Sequence, residues 1–226
     1  MNSKQKMKIG VDILMTAGLL FLMPYEMIGE AAHEWIGAGM FVLLILHHIL
    51  NRKWTKQIGK GSYTPLRVVQ TILVALILVC ILGSMVSGII LSRHIFSFLG
   101  IRGLTSPTRV VHMTCAYWGF VLMSLHLGIH WSMIMGMAKK HMGKPSAVRT
   151  WIARISGLAV AVYGLYAFLK RDLLSYMLMQ VHFVFFDYEE PVAFFILDYM
   201  AAMGFFVFLG HYASRALVKS THRKKH

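Results

Sequence analysis

Two pairs of histidines carry the chemistry available to this sequence. His33 and His47 lie in one apolar stretch and His112 and His126 in another, each pair 14 residues apart. At a helical rise of about 1.5 Å per residue, each pair spans roughly 21 Å along a helix. That fits within a hydrocarbon layer about 30 Å thick. If the two helices run the same way, the histidines meet as two cross-helix pairs, one near each membrane face. Haem iron takes two axial ligands from the protein. The pattern therefore predicts two bis-histidine haem positions stacked across a bilayer, which is an arrangement for carrying electrons.

The inner position has rivals. His48 follows His47 and points about 100° away on a helix, so only one of them can ligate the same iron. His130 lies one turn beyond His126. Equal spacing favours His47 with His126, leaving His48 and His130 for haem propionates or a quinone headgroup. Arg109 precedes His112 by one turn and is an expected outer propionate partner through charge-assisted bonding. Glu30 and Glu34 flank His33, either as propionate or proton partners or as an acidic helix cap. Gly37, Ala38, Gly39, Ala116 and Gly119 leave room for a haem or for close helix packing, and Trp35, Tyr117, Trp118 and Trp131 are candidate haem-face contacts. His211 is a candidate for a quinone site or a helix terminus.

The elements that must position these residues are six apolar segments: 11–29, 31–50, 66–91, 110–138, 151–169 and 192–211. Each is about long enough to cross a bilayer. Thr64-Pro65, Ser106-Pro107 and Glu190-Pro191 look like caps followed by a first-turn proline, while Pro24 should kink or end the first segment near Tyr25. With the N-terminus inside, 18 of the 23 Lys and Arg residues fall on the inner side and eight of the nine acids on or near the outer side, Asp12 being the exception. That is the positive-inside pattern. It puts both termini in the cytoplasm and runs the second and fourth spans in the same direction. Segment 172–190 is apolar but interrupted, and is expected to lie along the outer surface as an amphipathic or partly re-entrant element.

The chain has 226 residues, 57% of them hydrophobic, with a net charge of +14 and a mean hydropathy of +0.61. The basic residues sit between apolar segments, as in a membrane protein, so nucleic acid is not the expected partner. No polar stretch is long enough for a linker, and residues 1–226 read as one all-α integral membrane domain with six helices enclosing two haems. Cys80 and Cys115 belong to no CxxC or CxxCH arrangement and read as small buried hydrophobes. The basic start reads as part of an uncleaved first helix. His141 and the tail His222 to His226 read as inner loop and basic end, and His182 has no assigned role.

The runs Gly29-Glu30-Ala31-Ala32-His33-Glu34-Trp35, His47-His48-Ile49-Leu50-Asn51-Arg52, His112 through His130 with Tyr117-Trp118-Gly119, and Phe185-Phe186-Asp187-Tyr188-Glu189-Glu190-Pro191 resemble the flavinylation-associated cytochrome family over nearly the whole chain. More distantly the chain is similar to respiratory cytochrome b subunits and ferric reductases. The resemblance implies a bacterial cytoplasmic-membrane protein with two haem b groups on His33, His47, His112 and His126. It also implies electron transfer towards an extracytosolic flavin-carrying protein in a membrane redox complex; menaquinol is the expected donor near the inner haem, with quinol oxidation on the outside and the reverse direction as alternatives. Asp187, Glu189 and Glu190 are then candidate docking charges. Two other classes fit the histidines: a metal-ion transporter and a structural membrane subunit.

Overall fold

The computed structural model describes residues 2–101, 105–139, 146–181 and 183–223. The expectations for His141, His182 and His226, and for Lys224 and Lys225 in the tail, lie outside these residues. Among the described residues every regular element is helical, with no strand. The first helix, α1 (Ser3–Leu22), starts on the Asn2 side chain, which accepts the Gln5 N–H at 2.9 Å. Pro24 follows its end, because a proline ring cannot continue the helical hydrogen-bond ladder. The first segment therefore does not run unbroken over 11–29. The short α2 (Tyr25–Ile28) and Gly29 at φ +90° turn the chain into α3 (Glu30–Leu50), a backbone conformation that favours glycine.

After α4 (Arg52–Thr55), Thr64 caps α5 (Pro65–Leu91), accepting the Arg67 N–H at 3.3 Å with Pro65 in the first turn, as its sequence requires. A 3-10 turn (Ser97–Leu99) leads to α6 (Thr105–Lys139), followed by α7 (Ala147–Lys170), α8 (Leu173–Met177) and α9 (Val192–Arg223). The stretch expected to lie along the outer surface as an amphipathic or partly re-entrant element begins with the short α8, which has one buried and one exposed face, and continues as a loop. Leu173, Tyr176 and Met177 are buried, and Val184 and Phe186 pack against the core.

Among the described residues five helices are long and apolar enough to span a membrane: α3, α5, α6, α7 and α9. The chain is thus an all-α, multi-span membrane protein. α1 falls short by composition. Lys4, Lys6, Lys8 and Asp12 leave only residues 13–22 free of charge, against the roughly 20 apolar residues a span needs. The outer surface is apolar: Trp151, Ile155, Leu158, Val162, Leu165 and Leu169 form one exposed stripe on α7, and Ile72, Val79, Leu82 and Val86 are exposed on α5. Water would penalise that surface, whereas hydrocarbon accepts it.

α6 is the centre, with α5 on one side and α9 on the other, and α7 closes against α9. Gly128 of α6 and Gly210 of α9 let two backbones meet. A Cβ on Gly210 would stand 2.6 Å from the Leu125 carbonyl and 3.2 Å from the Gly128 Cα, so neither position admits a larger residue. Cys115 of α6 lies against Gly83 and Cys80 of α5; both thiols are free and half-buried. α3 packs mainly on α1. α1 runs antiparallel to α3, since Leu22 meets His33 while Asp12 and Lys8 meet His47 and Asn51. α3 and α6 run in the same direction.

At one end, Asp198 of α9 is buried at 3% side-chain exposure. It accepts from Tyr163 at 2.7 Å, Lys170 Nζ at 2.8 Å and Arg171 Nε at 2.8 Å. Arg171 also holds both oxygens of Glu190, at 2.7 and 2.6 Å, which ties the loop before α9 to the end of α7.

Candidate functional site

His33 sits in the first turn of α3 and His112 near the start of α6. Their side chains meet between the two helices. The ring centres are 6.0 Å apart at an interplanar angle of 66°. With metal–imidazole bonds of about 2 Å, and ring nitrogens about 1 Å from the ring centre, two rings on opposite sides of one ion would stand about 6 Å apart.

The tautomers follow from the acceptors. His33 Nδ1 lies 3.1 Å from the Leu22 carbonyl, and His112 Nδ1 lies 3.0 Å from the Ser84 carbonyl. A carbonyl only accepts, so each Nδ1 carries the hydrogen and each Nε2 keeps its lone pair. Ser87 Oγ, 3.0 Å from His112 Nδ1, adds a second acceptor while donating its own hydrogen to the Gly83 carbonyl at 2.6 Å. This is how a ligating histidine is oriented and its free nitrogen aimed. Gly88 of α5 lies beside the His112 ring, where a Cβ would approach Cε1 to 3.4 Å.

The inner histidines are held differently. His47 Nδ1 lies 2.8 Å from Asp12 Oδ1, so it also donates from Nδ1, while its Nε2 accepts from the Asn51 side-chain amide at 3.4 Å. His126 is within electrostatic range of His47, His130 and Asp12, and its Nδ1 is buried with no hydrogen-bond partner. A buried imidazole nitrogen without a partner is costly and calls for an explanation. The His126 and His130 rings are 4.8 Å apart, and His130 also lies within range of His47 and Asp12. His48 is exposed and bonds back to the Leu44 carbonyl of its own helix at 3.1 Å, with its ring 5.9 Å from His47. His211 meets Ser132 Oγ at 3.4 Å, linking α9 to α6.

Around the outer pair, the Tyr25 ring meets His33 edge-on at 5.8 Å and Phe186 at 5.3 Å. Burial, and then the hydrogen bond to Glu26 at 2.8 Å, push the Tyr25 hydroxyl far above its usual range, so it stays neutral. Arg109 is exposed, within range of Tyr25, and makes no ion pair among the described residues. The two glutamates flanking His33 fasten the chain. Glu30 pairs with Arg93 at 3.3 Å, and Glu34 accepts the Ser92 hydroxyl at 2.6 Å and the backbone N–H groups of Arg93, His94 and Ile95.

Other expectations need correction. Trp35 is exposed on the outside of α3, and Trp118 donates its Nε1–H to the Met177 carbonyl at 3.0 Å, so neither faces the histidines. Gly119 serves packing against Cys80. Glu190 is only 17% exposed and bound to Arg171, which removes it as a docking charge. Asp187 accepts the Glu189 N–H within its own loop at 2.9 Å, and Tyr188 donates to Glu26 Oε2 at 2.5 Å. Asp12, Ser84 and Ser87 were not among the expected site residues. Of these only Asp12 carried a sequence signal, as the acid that breaks the outer-side pattern.

The described residues hold no group of three or more His, Cys, Asp or Glu side chains arranged for a metal ion. Two imidazoles at one position suit a prosthetic group that supplies the remaining ligands itself. Comparison with family models, with curated proteins and with solved structures finds no match for the chain.

Proposed function

We propose that this protein is a membrane cytochrome that holds two b-type haems and passes electrons across the bilayer. The observation that carries the reading is the outer pair, with the rings of a residue on α3 and one on α6 6.0 Å apart and Nδ1 of each committed to an acceptor. His33 and His112 would hold the outer haem and His47 and His126 the inner one, with Arg109 beside the outer propionates. Bound there, haem supplies one-electron exchange; axial ligands and surroundings set its potential. At the outer pair the chain's own residues fix the tautomers, leave the Nε2 lone pairs free and close the site with Tyr25 and Phe186; at the inner pair His47 Nε2 would exchange the Asn51 amide for the iron.

α1 is the sixth span in this reading. Its 20 residues make a helix about 30 Å long, and its two innermost charges facing α3 are partnered, Asp12 by His47 and Lys8 by Asn51 at 2.7 Å. The basic loops support both termini in the cytoplasm, and the resemblance to flavinylation-associated cytochromes supports a bacterial cytoplasmic membrane. Menaquinol is the proposed donor, at the inner end near His48 and His130. A flavin-carrying extracytosolic protein is the proposed acceptor, meeting the surface around Tyr188 and Glu189. The resemblance to flavinylation-associated cytochromes supports both assignments. A cation transporter gains no support, because Asp12, Glu34 and Asp198 are each committed to a partner.

The test is a reduced-minus-oxidised spectrum of the purified full-length protein with a pyridine-haemochrome count. A b-type spectrum at two haems per chain is expected. A protein with no haem absorbance after expression under haem-replete conditions would refute the reading.

A further inference from the structure

The two histidine pairs differ in what their Nδ1 groups donate to. At the outer pair both acceptors are neutral: the Leu22 carbonyl for His33, and the Ser84 carbonyl with the Ser87 hydroxyl for His112. At the inner pair His47 donates to a carboxylate, Asp12, at 2.8 Å, and His126 Nδ1 has no partner. A hydrogen bond to an ionised acceptor is about twice as strong as a neutral one. A carboxylate behind a ligating histidine also makes that ligand more basic. A more basic ligand and a nearby negative charge both favour the oxidised, more positive state of an iron.

Charges surround both pairs. Lys8 lies one turn from Asp12 on α1, but its ammonium donates to Asn51 Oδ1 at 2.7 Å rather than to the carboxylate. On the outer side Glu30 is paired with Arg93, and Glu34, held by the neutral donors of residues 92–95, keeps its charge within range of His33; Arg109, one turn before His112, makes no ion pair among the described residues. The Asp12 side chain is 52% exposed and that of His47 30%, so solvent screens part of the effect.

Building on the two-haem reading, we propose that Asp12 is a positioning residue that gives the inner haem site a lower reduction potential than the outer one. One electron shared between the two sites then rests on the outer iron: the inner iron is oxidised as the outer is reduced, with no proton or further reactant required. The fold itself thereby sets an outward direction for electron flow, through a carboxylate on a helix that supplies no ligand.

The experiment is a spectroelectrochemical titration of the haem-loaded full-length protein, comparing wild type with Asp12→Asn and Asp12→Glu. A His112→Ala background, lacking the outer haem, assigns the inner potential. Asp12→Asn should raise the inner potential by about a tenfold change in the oxidised-to-reduced ratio, 59 mV for one electron. It should move the outer potential by less than twofold, and Asp12→Glu should stay near wild type. If Asp12→Asn sheds the inner haem, Asp12→Ser, which leaves space for a water on Nδ1, is read in its place. Two bound haems with an unmoved inner potential would overturn the role of Asp12 and leave the two-haem reading standing. Loss of the inner haem in both variants would make Asp12 a structural tether and also overturn the tuning role. Absence of haem from the wild type would overturn both.

Discussion

Asp198 is the most demanding charge in the fold, and removing it gives a stability prediction independent of any cofactor. Its carboxylate is 3% exposed and faces Lys170, Arg171 and Tyr163. The Lys170 side chain is 42% exposed, so solvent absorbs most of what it loses. Arg171 is 14% exposed, and its guanidinium is 2.7 Å from Asp198. Breaking a buried pair from one side costs about 3–5 kcal/mol, because the other charge is left uncompensated. Arg171 keeps Glu190, which places Asp198→Ala at the lower end, about 3 kcal/mol. For a domain of this length that is a fall in Tm of about 6–12 °C. Asp198→Asn keeps an acceptor oxygen and should lose about half as much. The assay is thermal unfolding in one fixed detergent, followed by intrinsic fluorescence. A fall below about 2 °C for Asp198→Ala would refute the reasoning, since it would mean that Arg171 is not held by this carboxylate.

Two other substitutions follow from the same geometry. Ser87→Ala removes one of two acceptors at His112 Nδ1 and leaves the Ser84 carbonyl, so haem affinity at the outer position should weaken by about tenfold, the small end for an outer-shell partner; haem titration of the apoprotein measures it. Gly210→Leu places a side chain against the Leu125 carbonyl and Gly128, so α6 and α9 must part; the variant should lose its sharp unfolding transition in the same fluorescence assay.

Much of this was legible in the sequence because helices convert spacing into position. The Thr64-Pro65 cap, the break at Pro24 and the common direction of α3 and α6 all follow from local rules and alternating loops. The parts that were not legible depend on tertiary contact. Periodicity in 172–190 cannot show that Leu173 and Tyr176 turn into the core, nor that Asp172 adopts φ +51° to begin that turn. Ser84 and Ser87 read as ordinary polar residues in an apolar helix until α6 brings His112 against them. Glu190 looked like a free surface charge because its partner, Arg171, lies 19 residues earlier across a loop. The role of Asp12 depends on α1 folding back antiparallel on α3, which composition alone does not specify.

The central claim is the pairing of histidines across α3 and α6. Its most direct measurement is the haem count per chain, with spectral assignment, in His33→Ala, His112→Ala, His47→Ala and His126→Ala. The account predicts that His33→Ala and His112→Ala lose the same haem and keep the other, while His47→Ala and His126→Ala lose the second. Retention of both haems in His33→Ala or His112→Ala, or loss of different haems from those two variants, would contradict it.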